Sequence, residues 1–309
     1  MSKVIPNKLN IGDTIGVVAP SNPIIGDNIS ELDLAKKIVE REGFNVKYSK
    51  NLFSNTNVYS ATAKEKADDI NKMFEDEEVK MIWCAKGGEG CNSVFEYLDY
   101  ELIKANPKII CGYSDITSLT NIITAKTGLV TFSATNFKTI ATDDTDFSFK
   151  EAMNRLVNCS LDFGIPNNDY YKTIQEGVTE GELIGGNLSL IGGVAVGRYS
   201  VNFKDKILFL EELGLETSPN RASSYLYTMK QNGIFEKIKG LWIGNYEHES
   251  EISLEKIVID VLESEYRFPI IKSNNFGHIE NKTVIPIGTR ARIDTSKNVK
   301  IELIENCVK

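Results

Sequence analysis

The first half of this chain alternates short apolar, β-branched runs with stretches that carry apolar residues at helical spacing. That alternation constrains the fold more than any other feature. Thr14 to Ala19 reads as a buried strand that ends at Pro20-Ser21-Asn22-Pro23. Ile29 to Glu42 reads as a helix, Asn45 to Tyr48 as a second strand and Ala61 to Glu75 as a second helix. Val79 to Ala85 is a third strand, closed by Lys86-Gly87-Gly88-Glu89-Gly90. Asn92 to Leu98 reads as helical, Lys108 to Cys111 as a strand and Ile116 to Ala125 as a helix. Strands that alternate with helices form parallel βαβ units, so the fold class is α/β. Sites in such sheets form at the carboxyl ends of strands, and both Gly87-Gly88 and Ser114 fall there.

A length of 309 residues exceeds one ordinary core, which predicts two domains, and 41% apolar residues can fill both. Residues 160 to 180 are polar and turn-rich, with Pro166-Asn167-Asn168-Asp169 at their centre, and read as the junction. This places one domain at 1–165 and another at 176–309. The second half carries strand patterns at Lys206 to Leu210, Gly240 to Gly244, Pro269 to Ile271, Lys282 to Ile287 and Lys300 to Leu303. Its helical patterns lie at Arg221 to Gln231 and Leu254 to Ser264.

The formal charge is −8, with no basic stripe, so a nucleic-acid role is not expected. The amino terminus lacks the apolar segment of a signal peptide, and no apolar run reaches the ~20 residues of a membrane span. The expectation is a cytoplasmic protein with no membrane partner. Five cysteines, none in a CxxC pair, suggest neither a disulfide framework nor a metal site. Cys91, just after the glycine cluster, is the one placed to lie near a site.

Gly112-Tyr113-Ser114-Asp115 stands where an apolar run stops and a helical pattern starts. A serine on a sharp strand-to-helix turn presents its hydroxyl beside backbone amides, as acyl-transfer nucleophiles require. The same residues also suit a plain helix cap. A serine nucleophile needs a base, and the chain has two histidines, His248 and His278. His278 lies in a loop just before a strand pattern, where catalytic side chains are often carried. His248 sits among carboxylates in Tyr246-Glu247-His248-Glu249-Ser250 and reads better as a solvated surface histidine. For an orienting carboxylate, Lys206 to Leu210 ends in Glu211-Glu212. Alternate strand residues share a face, so one of the pair turns to each side, and the pattern does not say which. The oxyanion donors would be backbone amides, one from Asp115 and one from the Gly87-Gly88 loop. That loop matches neither GxGxxG nor GxxxxGK[ST], and Glu89 would repel a phosphate.

Taken in order, these segments resemble the serine LD-carboxypeptidases and the related microcin-immunity (MccF-like) peptidases. The likeness runs over nearly the whole chain. It includes Gly12 to Ser21, Gly87-Gly88, Leu98-Asp99-Tyr100, Asn106-Pro107-Lys108, Gly112 to Thr117, Gly181 to Leu188, Leu210-Glu211, Gly277-His278 and Pro286-Ile287-Gly288. The resemblance implies a flavodoxin-like parallel-sheet N-terminal domain bearing the serine and a mostly β C-terminal domain bearing Glu and His. It implies a Ser114–Glu211–His278 triad with Gly88 and Asp115 as oxyanion donors, no cofactor or metal, and a homodimer. The implied substrate is a peptide or muropeptide with a terminal D-alanine. The alternatives are an MccF-like amidase that cleaves a peptidyl- or aminoacyl-nucleotide antibiotic, and a non-catalytic muropeptide-binding protein. Many LD-carboxypeptidases have Arg-Gly-Gly-Tyr-Gly where this chain has Lys86-Gly87-Gly88-Glu89-Gly90, and lysine loses the bidentate grip on a carboxylate. Lys86, Arg221 and Arg290 are the candidates for holding the substrate carboxylate.

Overall fold

The computed structural model describes residues 2–56, 60–164, 171–263 and 265–309. Five strands, Thr14–Val18 (β1), Asn45–Tyr48 (β2), Val79–Cys84 (β3), Ile109–Gly112 (β4) and Thr131–Ser133 (β5), run parallel in the order β2-β1-β3-β4-β5. This is the flavodoxin-like strand order, whose crevice opens at the carboxyl ends beside the β1/β3 reversal. The central strands are buried on both faces, as their continuous apolar runs require. Helices Asp27–Arg41 (α1), Ala63–Glu75 (α2), Tyr100–Ala105 (α3), Ile116–Thr127 (α4) and Phe147–Leu156 (α5) belong to this half. Local chemistry sets their ends. Thr62 and Glu65 form a reciprocal capping box at the start of α2, and Gly128, at φ 78°, stops α4.

The second half supplies Lys172–Gln175 (β6), Val178–Asn187 (β7), Lys206–Glu211 (β8), Gly240–Ile243 (β9), Ile270–Lys272 (β10), Ile285–Ile287 (β11), Arg290–Asp294 (β12) and Ile301–Leu303 (β13). Its helices are Leu188–Gly193 (α6), Pro219–Gln231 (α7) and Leu254–Leu262 (α8). Seven of these strands form a sheet in the order β13-β12-β7-β8-β9-β10-β6. The four central ones, β7 to β10, are parallel, and the flanking pairings are antiparallel. The eighth, β11, leaves this half and joins β5 as an antiparallel edge of the first sheet.

Several sequence readings shift. Asn92 to Leu98 is not a full helix: only Cys91–Val94 forms a short 3₁₀ turn. The polar stretch read as a junction holds β6 and the start of β7, and its Pro166-Asn167-Asn168-Asp169 centre lies outside the described residues. The Lys282 to Ile287 strand shrinks to Ile285–Ile287.

The two halves share their packing. Ile116, Leu119, Ile122 and Ile123 of α4 lie in one core with Ile184, Leu188 and Ile191 of the second half. Polar bolts reinforce the seam. Asn121 donates to Gly185 O at 2.9 Å and accepts from Gly185 N at 3.2 Å, while Asn187 N donates to Thr117 Oγ1 at 3.2 Å. Helix α4 is therefore keyed to the carboxyl half of β7, which runs beside β8 with Asn187 opposite Glu211. Among the described residues no helix is long and apolar enough to cross a membrane.

Candidate active site

Four strand ends converge on one place. After β4 the chain turns sharply, and Ser114 takes a φ of 64°, a left-handed conformation that costs a non-glycine residue about 1–2 kcal/mol. The turn is held from both sides: Tyr113 N donates to Asn136 Oδ1 at 3.1 Å, and Ser114 O accepts from Thr117 N at 2.9 Å. Strain kept in this way projects the side chain off the sheet end. Asp115 occupies the cap position of α4 yet makes no side-chain cap hydrogen bond, so the plain-cap reading fails. After β3, the loop Lys86 to Gly90 passes directly over the serine. A methyl group added at Gly87 would lie 2.9 Å from Ser114 Cβ, and Gly88, at φ 136°, packs against the Asn22 side chain.

From the second half, β8 delivers Glu211 and β10 leads into the His278 loop. That loop is fixed by Trp242 Nε1 donating to Ser273 Oγ (2.7 Å), Asn245 N donating to Phe276 O (3.0 Å) and Thr283 N donating to Asn275 O (2.7 Å). Gly277, at φ 117°, sits so close to Glu211 that a Cβ would stand 3.0 Å from its Oε2. The result is a continuous relay. His278 Nδ1 lies 2.7 Å from Glu211 Oε2, and His278 Nε2 lies 3.1 Å from Ser114 Oγ. With an ionised Glu211, Nδ1 carries the proton and Nε2 is left to accept the serine hydroxyl.

Electrostatics favour the same arrangement. Burial pulls the His278 imidazole down, but Glu211, charged and hydrogen-bonded to it, with Glu212 behind, raises it above its ordinary value near 6.5. Glu212 faces away from the histidine. Its buried carboxylate accepts from Asn187 Nδ2 (2.8 Å), Ser189 N (2.9 Å) and Leu213 N (2.8 Å), and burial pushes it up. The Glu211/Glu212 choice left open by the strand pattern is thereby resolved in geometry.

Of the remaining sequence candidates, Lys86 has its backbone at the site through its bond to Gly87, while its ammonium feels Lys138 and Glu31. It is half-buried, and burial and Lys138 hold its ammonium below the usual value. Arg221 stands on the solvent face of α7, lining an open groove with Leu215, Ser218 and His248. Arg290 is not brought to the site. It opposes Glu182, five residues and about 17 Å back along β7 from Asn187, and it pairs with Glu180 at 2.9 Å. His248 is on the surface, bonded to Ser250 and stacked on Tyr246. Cys91 does reach the site, though by its backbone: its amide donates to Asp115 at 2.8 Å, and burial pushes its thiol far up.

Sequence reasoning overlooked the residues that hold these groups. The Tyr113 ring meets the His278 ring edge-on at 5.2 Å, and Lys282 Nζ lies 4.6 Å from the centre of the Tyr113 ring. Burial lowers Lys282 to about 8, against the opposing charges of Asp143, Glu211 and Glu280. Tyr113 stood beside the serine in sequence and was the one readable signal. Lys282 and Asn136 gave none. Among the described residues no three His, Cys, Asp or Glu side chains gather as a metal site.

A profile of the LD-carboxypeptidase N-terminal domain matches residues 15–134, and one of the C-terminal domain matches residues 180–293. The chain belongs to the LD-carboxypeptidase family. It is therefore a serine-type carboxypeptidase by descent, with the α/β fold of that family. Among its relatives is the probable murein peptide carboxypeptidase of Bacillus subtilis (strain 168), 32% identical over 307 residues, covering 96% of this chain and 93% of the relative. Another is the microcin C7 self-immunity protein MccF of Escherichia coli, 28% identical over 329 residues, covering 95% and 94%. The crystal structure of an MccF-like protein from Bacillus anthracis str. Ames superposes with a TM-score of 0.90 at 32% identity, covering 98% of this chain and 99% of that one.

Proposed function

We propose that this LD-carboxypeptidase removes the carboxy-terminal residue of a muropeptide by acyl transfer through Ser114. The single observation that supports the reading is the unbroken Glu211–His278–Ser114 relay, assembled from both halves of the chain at 2.7 and 3.1 Å. In this mechanism His278 Nε2 takes the Ser114 proton as Oγ attacks the scissile carbonyl. The Gly88 and Asp115 amides hold the oxyanion. His278 then protonates the leaving amine, and water, activated by the same base, releases the shortened peptide. Glu211 keeps the imidazole in its working tautomer and stabilises the imidazolium that forms. Each missing oxyanion donor costs about 10²–10³ in turnover.

The name of the murein peptide carboxypeptidase relative supports a muropeptide substrate, and the family resemblance implies the bond cut: that of the terminal D-alanine of a tetrapeptide to the L-centre of a diamino acid. Lys86 is the candidate best placed to meet the free carboxylate. A cytoplasmic homodimer working on recycled peptidoglycan fragments goes with this reading, and what supports it is the family resemblance. The close superposition on an MccF-like protein favours a second reading, an amidase acting on an aminoacyl-nucleotide. Incubation with a tetrapeptide muropeptide and with an aminoacyl sulfamoyl adenosine, followed by mass spectrometry, separates the two. Loss of alanine from the tetrapeptide, abolished in Ser114→Ala, supports the first. Cleavage of the nucleotide conjugate alone replaces it with the second.

A further inference from the structure

The Asp115 side chain does something its backbone does not. It is 2% exposed. A buried carboxylate is costly unless it is hydrogen-bonded, and this one has two short partners on two other loops. Ser21 Oγ, from the loop after β1, donates at 2.5 Å, and Cys91 N, from the loop after β3, donates at 2.8 Å. An aspartate at a helix cap ordinarily accepts from the helix's own first-turn amides, and here it does not. Asn22, next to Ser21, adds a second tie by accepting from Glu89 N at 3.1 Å, and its side chain fills the space where a Cβ on Gly88 would stand. The loops after β1, β3 and β4 are thus tied together within a few residues of both oxyanion amides.

We infer that the Asp115 carboxylate is a positioning residue, a clamp that fixes the Gly88 amide relative to the Asp115 amide and so sets the shape of the oxyanion site. The inference rests on the serine-nucleophile reading above. The reason is geometric. The two donors sit on separate loops with no strand pairing between them at that point, and an oxyanion site works only if its donors are placed before charge develops. Cys91 is three residues from Gly88, and Ser21 lies next to the residue against which Gly88 packs. One carboxylate therefore controls both sides of the glycine loop. Burial raises the Asp115 carboxyl, while the Ser21 and Cys91 bonds and nearby Lys66 favour its ionised form.

The test is the rate at which a fluorophosphonate labels Ser114, followed by intact mass on the full chain. The Ser114 Oγ–P bond forms, the P–F bond breaks, fluoride leaves and the serine proton passes to His278. The phosphoryl oxygen occupies the oxyanion site whichever substrate the enzyme prefers. In Ser21→Ala and Asp115→Ala the second-order rate per folded molecule should fall about 10- to 100-fold, less than or equal to the loss of a donor outright. On any substrate turned over, kcat should fall while KM holds within about twofold. Both bonds end on Asp115 Oδ2, so Asp115→Asn, whose amide oxygen can take that place and accept from Ser21 Oγ and Cys91 N, should restore much of the rate. Wild-type labelling rates in Ser21→Ala and Asp115→Ala, with only the melting temperature lowered, would overturn the clamp alone. Failure of the wild-type chain to label at Ser114 would overturn the nucleophile assignment and the clamp with it. Should Asp115→Ala not fold, Ser21→Ala carries the test, since it removes one partner and leaves the carboxylate bonded to Cys91.

Discussion

Gly87→Ala adds a single methyl group to the loop above the serine, and its consequence can be worked from the coordinates. Gly87 has an ordinary backbone conformation, so alanine introduces no backbone strain there, unlike at Gly88 with its φ of 136°. The new carbon would lie 2.9 Å from Ser114 Cβ and 3.2 Å from its Oγ. Carbon pairs settle at about 3.5 Å or more, so the loop and the serine must part by about 0.6 Å. If Ser114 takes up that movement, its 3.1 Å contact with His278 Nε2 lengthens past hydrogen-bond range. If the loop moves, the Gly88 amide leaves the place proposed for it beside the oxyanion. Either way overpacking should cost about 1–3 kcal/mol of stability. Misplacement on this scale should lower kcat/KM by about 100-fold. The assay is steady-state hydrolysis normalised to fluorophosphonate-titratable serine, with thermal melting alongside. Gly87→Ala with wild-type kcat/KM and an unchanged melting temperature would refute the packing of the glycine loop on the nucleophile.

Three other outcomes follow from the same geometry. Because Glu211 and Glu212 raise His278 above 6.5, activity should fall as pH drops through a value above that of a free histidine. Glu211→Gln should shift this acid limb to lower pH as well as depress kcat, because burial then acts on the imidazole with less opposition; a limb that stays in place would argue against His278 as the base. Asn121→Leu strips both partners from the Gly185 backbone at the seam between the halves, two buried polar groups worth about 1–3 kcal/mol each. Denaturant unfolding should show a loss of about 2–6 kcal/mol for the two together, and a neutral result would mean the Asn121 bolt does not hold the seam. His248→Ala should leave hydrolysis close to wild type, since its ring bonds only to Ser250 in the described contacts; a collapse matching that of His278→Ala would reverse the choice of base.

How far the chain could be read depended on how strongly each segment obeyed one period. Asn45–Tyr48 matches the expected strand at both ends, and α1, α2, α4 and α7 are within a few residues. Strand β7 went unread because Gly181, Gly185 and Gly186 dilute its β-branched pattern. Those glycines are there for close approach: a Cβ on Gly186 would stand 2.6 Å from Thr117 Oγ1. Helix α5, which starts at Phe147, was missed because its cap residue Asp146 is left-handed with no side-chain cap hydrogen bond, its first amides being held from further back, Phe147 N by Thr145 Oγ1 and Ser148 N by Asp143 Oδ2. Strand β11 was readable as a strand, but its place in the first sheet depends on an antiparallel pairing with β5, more than 150 residues away, that no local pattern encodes. In the site, Ser114, Glu211 and His278 stood out because each ends or follows a strand with a reactive group. Arg290 attracted notice as a cation and proved to be engaged elsewhere. The Asp115 carboxylate escaped because its partners, Ser21 and Cys91 N, are ordinary residues until the fold brings three loops together.

The central claim is that acyl transfer passes through Ser114, and the acyl-enzyme itself is the most direct witness. A tetrapeptide muropeptide is mixed with the full chain, quenched in acid within the first turnovers, and the digest is mapped by mass spectrometry. The expected result is the substrate acyl group, less its terminal alanine, on the fragment that contains Ser114, and no adduct in Ser114→Ala. Release of alanine with the adduct on another residue, or at an undiminished rate in Ser114→Ala, would contradict the account.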